Sequence, residues 1–443
     1  LGCAKNLVDS ERMLGQLAEA GCAITNDETQ ADVIVVNTCG FLAASREEAI
    51  AAVRDAVRQK SIGRCERVVV AGCLVQRDKE DLLQAVDGID ALVGVNNRDD
   101  IVRAALAQDL RPERCTDLYL SDYHPHVQLD RTRLRLTPRH YAYLRISEGC
   151  NQRCTFCTIP SIRGPMHCKP PSVILEEARE LVADGAVEII LIGQDTTSYG
   201  EEFDDSSGLD DLLRQLNKVD GLEWIRLMYA YPTELTDRII DAVAECEKVV
   251  KYIDLPLQHI NDRILKAMHR RVTRRQSEDL LTRLRERIPG VAIRTTLIAG
   301  FCGETEAEFE ELVDFVRDFR FDALGVFPYS LEPETPAGRM RDQIPESVKH
   351  QRVDLLMTTQ QQVAFDLADR HIGHTLQVLV DREADDDGVV VSRHSGQAPM
   401  VDALTYIAEC DARPGEMIEV RCTGRDDYDL TAVPTRVSLP VVV

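Results

Sequence analysis

The chain has 443 residues, 44% hydrophobic and 29% charged, a globular composition long enough for about three domains at ~150 residues each. Its net charge of -23 opposes non-specific nucleic-acid binding, which draws its free energy from Lys and Arg neutralising phosphates, and suits a basic partner instead. No apolar run approaches the ~18 residues of a membrane span, and the opening "LGCAKNLVDS" has neither the basic region nor the apolar core of a signal peptide, so the expected setting is cytoplasmic, without a membrane partner.

Fourteen Cys in such a chain point to reduced thiols and metal rather than to a disulfide framework. In the first segment, 1–110, two β-branched runs end alike: "DVIVVNTC" (32–39) and "RVVVAGC" (67–73) both stop at a Cys. Between them "SREEAIAAVRDAVRQK" reads as a helix, with Ser45 as the candidate cap, Glu47 and Glu48 in the first turn and Lys60 at the end. Strand, helix, strand implies a parallel sheet, whose ligands collect outside the carboxyl ends of the strands and would find Cys39 and Cys73 there. Cys3 precedes another amphipathic helix, 7–19, and would take the equivalent place after a first strand expected to be missing from this copy. Cys22, Cys65, Cys115, Cys168, Cys246, Cys302, Cys410 and Cys422 share no such pattern and read as small buried hydrophobes.

Residues 111–139 carry Pro112, Pro125, Pro138 and six Arg with no sustained apolar period, which marks a linker with solvated Arg. From 140 to 370 strands alternate with amphipathic segments. The strand candidates are "AYLRIS", "VEIILIG", "WIRLMYA", "YIDLPL", "AIRTTLIAG" and "ALGVFPYS". Six strand–helix repeats predict a barrel-like parallel sheet, short of the eight that close a full barrel, with its chemistry at the C-terminal face. A long helix, 346–369, leads into 371–443, where "TLQVLVD", "GVVVSR", "MIEVRCTG" and "DLTAVP" are short strands with Gly, Asp and Pro turns: a small all-β barrel. The fold class is therefore multidomain α/β, with an N-terminal parallel α/β unit, a central partial (β/α)6 barrel and a terminal β-barrel.

The chemistry concentrates just after the first barrel strand. "GCNQRCTFC" (149–157) places Cys150, Cys154 and Cys157 within nine positions. A disulfide cannot use three thiols, and zinc usually takes four ligands, whereas no second pair or fitting His follows. Iron–sulfur clusters need four ligands, so a run of three leaves one iron open. The amino and carboxylate groups of S-adenosylmethionine (SAM) would chelate that iron, and one electron into the sulfonium would release a 5′-deoxyadenosyl radical able to take hydrogen from unactivated carbon.

C-x3-C-x2-C opening a half-closed parallel barrel resembles the radical SAM superfamily. The resemblance implies that Phe156 packs beside the adenosyl group, that "IGQD" (192–195) with Gly193 and Gln194 meets the methionine amino group, and that "IAGFCGET" (298–305) with Gly300 and Gly303 turns near the adenine; members usually have Pro where this chain has Cys302. Three dispersed N-terminal Cys, a radical SAM core and a terminal TRAM-like β-domain together resemble the methylthiotransferases. That implies two 4Fe-4S clusters, one on Cys3, Cys39 and Cys73 and one on Cys150, Cys154 and Cys157, with SAM as both cofactor and methyl donor and no catalytic residue beyond the cluster ligands. It also implies a sulfur donor and a low-potential electron donor as partners.

Within that family "LGCAKNLVDSE", "RISEGCNQRCTFC", "GQDTTSYG", "YPTEL", "DLPLQH" and "APMVD" are similar to the members that modify the β-carbon of an aspartate in ribosomal protein S-twelve, with that protein or the small ribosomal subunit as partner. "SRHSGQ", before "APMVD", departs from their usual text. The tRNA-modifying members are the nearest alternative, supported by the basic run "LKAMHRRVTRR" (265–275); the acidity of the chain favours reading that run as a solvated helix face or a rim of the active-site mouth. A non-catalytic iron–sulfur protein that carries electrons or binds RNA is the alternative from another class, and it leaves the barrel unexplained.

Overall fold

The computed structural model describes residues 2–107, 116–121, 129–204, 207–385 and 388–435. Cys115 and the acidic pair Asp386 and Asp387 lie outside these. Helix α1 (Ala4–Glu19) runs before strand β1 (Val33–Thr38), and then come α2 (Ala43–Ile62), β2 (Arg67–Gly72), α3 (Cys73–Ala85), β3 (Ala91–Val93), α4 (Ile101–Leu106) and β4 (Asp117–Tyr119). The four strands form one parallel sheet in sequential order, with Thr38 opposite Gly72 at the carboxyl ends of β1 and β2. Strand β2 is buried along its whole length, which its unbroken Val-rich text reflects, since a parallel sheet covered on both faces selects continuous rather than alternating apolar runs.

Two expectations for this region fail. Helix α2 starts at Ala43 behind Leu42 instead of at Ser45, and no side chain of its own caps it. Its first amide is taken by Glu332, whose Oε1 accepts from Ala43 N at 2.9 Å, a partner 289 positions away that local text cannot reveal. The stretch 111–139 is not merely a connector, because β4 completes the N-terminal sheet and two of its described arginines are engaged with nearly buried side chains. Arg133 pairs with Glu11 at 3.4 Å and Arg135 with Asp184 at 2.7 Å.

The central part follows the six-repeat pattern. Its strands are β5 (Tyr141–Arg145), a small antiparallel pair β6 (Ser147–Glu148) and β7 (His167–Cys168), then β8 (Glu188–Ile192), β9 (Trp224–Leu227), β10 (Val249–Asp254), β11 (Ala292–Ala299) and β12 (Ala323–Pro328). Between them lie α5 (Ile159–Arg163), α6 (Pro171–Ala183), α7 (Leu209–Leu216), α8 (Asp237–Glu245), α9 (Asp262–Ala267), α10 (Arg274–Arg287) and α11 (Glu306–Phe319), with α12 (Glu346–Asp369) after β12. Six strands make a parallel sheet in the order β12-β11-β10-β9-β8-β5, so the arc ends at β5 on one side and β12 on the other. Residues with their side chains toward the helices, among them Leu144, Leu191, Leu227, Ile253 and Leu297, form the main core. Local capping fixes the helix starts near the mouth: Thr273 with Gln276 and Thr305 with Glu308 make reciprocal capping boxes at α10 and α11.

Five strands, β13 (Thr375–Arg382), β14 (Val390–His394), β15 (Thr405–Ile407), β16 (Met417–Asp426) and β17 (Asp429–Pro434), close a barrel in the order β13-β14-β15-β17-β16. Three-residue β15 is the strand that the sequence pattern does not show. The concave side of the arc is filled from two directions: Tyr141, Tyr143, Ile190, Ile192, Trp224 and Tyr252 pack with Val8 of α1 and with Leu379 and Ala398 of the terminal barrel. Arg226 donates to Glu188 at 2.8 Å, and Arg393 reaches in from β14 to the same carboxylate at 2.8 Å, all three fully buried. Among the described residues no helix is long and apolar enough to cross a membrane.

Candidate functional site

Cys150, Cys154 and Cys157 lie in the loop between β6 and α5, beyond the carboxyl end of β5, and all three are unpaired thiols. The loop is held by backbone and hydroxyl contacts: Thr155 N donates to Met268 O at 3.0 Å, Thr155 Oγ1 donates to Ala267 O at 2.8 Å, and Ala337 N donates to Thr155 O at 3.0 Å. Burial pushes the Cys150 and Cys157 thiols up to about 12, so their thiolates need a cationic centre. Cys154 is flanked by the Tyr231 hydroxyl at 3.9 Å and by Arg270 Nη1, which donates at 3.7 Å. Among the described residues no three His, Cys, Asp or Glu side chains meet at a single ion's coordination distance. A cubane cluster asks for something different, one thiolate to each of three irons, and three half-buried thiols on one loop fit that demand.

The SAM candidates divide. Gln194 donates from Nε2 to Glu148 Oε1 at 2.7 Å; a carboxylate only accepts, so this contact fixes which way the amide points. Its Oε1 is buried and has no partner, an acceptor suited to an ammonium group. Gly193 leaves room where a Cβ would stand 2.5 Å from Ser147 Oγ. The turn at Gly300 and Gly303 behaves otherwise. Gly300 N and Phe301 N donate to Glu304 Oε2 at 2.9 and 3.1 Å, and Gly303 N donates to Asp342 O at 2.7 Å, so the turn consumes its own amides. What it offers is an apolar wall: Phe156 packs against Phe301, Cys302, Met268 and Ala337. Cys302 Sγ is itself engaged, donating to Ala337 O at 3.3 Å and accepting from Gln343 at 3.2 Å.

The second trio assembles as the sheet pattern implies. Cys39 follows β1, Cys73 opens α3 after β2, and Cys3 is the N-cap of α1. Two glycines permit the approach. Gly72 has φ +100°, with a would-be Cβ 2.4 Å from Asn37 Oδ1 and 2.6 Å from Thr38 O, and a Cβ on Gly40 would stand 2.8 Å from the Cys73 backbone. Helix N-termini at Cys3 and Cys73 favour anionic ligands here. Burial raises the Cys73 thiol to about 11 against the opposing charge of Arg163. Burial would raise Cys3 too, but the charges of Lys5 and Arg163 and the amides of Asn6 and Lys5 outweigh it, and its thiol is lowered. Three free thiols beside two positive helix ends fit a three-thiolate cluster.

The sequence gives no hint of how the two trios communicate. Arg163, at the end of α5, donates to Cys73 Sγ at 3.2 Å, to Asp9 at 2.9 Å and to Glu148 at 2.9 Å. Glu148 also holds Gln194, so one carboxylate links the two sites. Around it Arg98, Arg145 and Lys169 with Asp9, Asp130 and Glu177 form a buried network. Four cations (Arg98, Arg145, Arg163, Lys169) meet four anions (Asp9, Asp130, Glu148, Glu177), so the network is neutral. Within it the cations hold Glu148 below the usual carboxylate range despite burial. On the other side, the strand-end residues Tyr229 and Tyr231 face one site each: Tyr231 touches Cys154 and Tyr229 lies under Lys5.

Comparison with known proteins agrees with this layout. Residues 144–316 match the Radical SAM superfamily, 1–94 the uncharacterized protein family UPF0004, and 372–434 the TRAM domain. Among solved structures, the radical SAM methyltransferase TsrM from Kitasatospora setae aligns with a TM-score of 0.58 at 14% identity, covering 86% of this chain and 77% of its own; at that identity the likeness is one of fold. Proteins named ribosomal protein uS12 methylthiotransferase RimO are far nearer in sequence. The one from Anaeromyxobacter sp. (strain K) is 45% identical over 97% of this chain and 91% of its own length, that of Geobacter sulfurreducens 45% over 97% and 96%, and that of Lachnoclostridium phytofermentans 42% over 97% and 97%. With identity at this level along nearly the whole length of both partners, the chain belongs to the RimO family of radical SAM methylthiotransferases.

Proposed function

We propose that this enzyme adds a methylthio group to the β-carbon of an aspartate of ribosomal protein uS12, the S-twelve protein of the small ribosomal subunit, in the cytoplasm. The observation that carries the reading is the pairing of two three-thiol sites across α5 and the Tyr229–Tyr231 turn, in a chain whose relatives bear that substrate's name. We assign Cys150, Cys154 and Cys157 to one 4Fe-4S cluster and Cys3, Cys39 and Cys73 to the other. Phe156, Gly193, Gln194, Gly300 and Gly303 line the SAM site in this reading. When bound, the clusters and SAM supply sulfur, methyl group and the radical that opens the target C–H bond.

The protein's own residues do the rest. Gln194 Oε1, oriented by Glu148, accepts from the ammonium end of SAM. Phe156, Phe301 and Cys302 give the adenosyl group a dry surface, which keeps water from a reactive centre. Arg163 places a cation against Cys73 and ties that thiolate to Glu148. The unit boundaries we assign are 1–110 together with β4, 140–370 and 371–443, with the rest of 111–139 between them. Part of the basic run behind the tRNA alternative is engaged within the protein: Arg270 is buried against Tyr231 and Cys154, and Arg274 is paired with Glu278 and Glu311. The test is anaerobic reconstitution with iron, sulfide, SAM and a low-potential reductant, followed by mass spectrometry of uS12. The expected product gains one methylthio group in place of a hydrogen, on an aspartate. Formation of methylthioadenosine in tRNA with unmodified uS12 would overturn the reading.

A further inference from the structure

Lys5 is 7% exposed, sits two residues after Cys3 on α1, and holds its ammonium 3.3 Å from the centroid of the Tyr229 ring. An ammonium has three donors, and a ring face attracts the charge without accepting them in the way oxygen does. Among the described residues no carboxylate, carbonyl or side-chain oxygen is within hydrogen-bonding or ion-pairing reach of it. The acid near it is the Cys3 thiol, whose ionisation its charge favours, and a buried cation with no oxygen partner invites a further anion. The other cations at the mouth are already engaged. Arg270 donates to Pro256 O and Cys154, Arg294 is paired with Asp254 and lies beside Asp402, and Arg163 is committed to Asp9 and Glu148.

The position is specific. Tyr229 has left-handed backbone (φ +62°), an uncommon state for a bulky residue, and its amide is anchored by Asp254 Oδ2 at 3.0 Å. Two residues on, Tyr231 meets Cys154. Lys5 thus stands two residues after the first Cys of one trio, on a ring two residues before the tyrosine that meets the loop of the other.

We infer that Lys5 binds the side-chain carboxylate of the substrate aspartate and so selects an acidic residue over its amide. The inference rests on the aspartate reading given above. Pairing with Lys5 fixes the carboxylate, and the adjoining β-carbon is then presented between the two sites; Lys5 acts through charge and takes no part in bond breaking. The competing role for this cation is to offset the negative charge of the Cys3 cluster.

The experiment uses the full-length enzyme reconstituted with both clusters and SAM, and measures affinity for uS12 and for uS12 with the target Asp replaced by Asn. Wild-type enzyme is expected to favour the Asp form by about tenfold or more, as for a charge-assisted contact withdrawn from water. Lys5→Met should bring that ratio close to one at unchanged iron content, and Lys5→Arg should restore part of it. A Lys5→Met enzyme that keeps the wild-type ratio, or that loses one cluster's iron, would overturn the assignment in favour of the cluster-charge role. Wild-type enzyme that modifies no aspartate of uS12 would instead overturn the functional reading, and the inference with it.

Discussion

Arg163 shows how much one side chain can be asked to do: it touches the Cys73 sulfur, two carboxylates and the Asn6 amide oxygen at 3.1 Å. A cation bonded to a ligand sulfur favours the more negative, reduced cluster, so removing it lowers the potential. Arg163→Met in a background lacking the other three thiols should move the N-terminal cluster's midpoint on the order of 50 mV more negative in a redox titration followed by electron paramagnetic resonance, with Arg163→Lys intermediate. Replacing Cys150, Cys154 and Cys157 by Ala should leave about four irons per chain, as one remaining three-thiolate site holds, and end 5′-deoxyadenosine formation. Retention of about eight irons would show that the two trios are not separate sites. The six thiols were legible because spacing and strand ends announce them. Arg163, Glu148 and Lys5 were not, since Arg163 gains its meaning from Cys73, 90 positions away, Glu148 from Gln194, 46 away, and Lys5 from Tyr229, 224 away.

At the level of elements, the six barrel strands were legible from their apolar runs, and β3, β4 and β15 were missed because three residues carry no period. Contacts between elements were invisible, and the junction of β14 with the arc is the main case. His394 is half-buried there and accepts from Gly396 N at 3.0 Å through Nδ1, which requires the neutral ring. Burial, with the nearby charges of His371, Arg226 and Arg393, lowers it from 6.5 to about 3. Between those values the unfolded chain binds a proton that the folded chain refuses, so stability falls as pH drops below 6.5. Thermal unfolding from about pH 7 to 5 should show this decline, and His394→Gln should flatten it. Arg393→Met leaves Glu188 to Arg226 alone and Asp381 to His140 alone, and should lower stability by about 3–5 kcal/mol in denaturant unfolding. An unchanged midpoint would mean that Arg226 alone neutralises Glu188.

For the whole molecule the governing quantity is the charge of -23. From residue 371 to 443 there are 13 Asp and Glu against 6 Lys and Arg, a balance of -7, and part of that acid is spent internally, Asp381 on Arg393 and His140, Asp402 on Tyr252. Glu409, Asp411, Glu416 and Glu419 lie together around a groove on the terminal barrel, against the one cation Arg413 among its lining residues. Long-range attraction for a Lys- and Arg-rich ribosomal protein should therefore weaken as salt rises, and tRNA should bind poorly at every salt concentration. A salt series with both ligands and the intact chain checks this; tighter binding of tRNA would count against the ribosomal-protein reading. The arc filled from both sides also has a consequence for biosynthesis. Leu379, Arg393 and Ala398 come from the last part of the chain to be made, yet they complete the interior that Glu188 and Arg226 open some 150 to 200 residues earlier. While translation is under way the central strands can pair, but their concave side stays wet and its acid–base pair lacks a third member. Final closure of the catalytic barrel must therefore wait until the terminal β-barrel has left the ribosome, so a nascent chain stopped near 370 should remain protease-sensitive in β8 and β9.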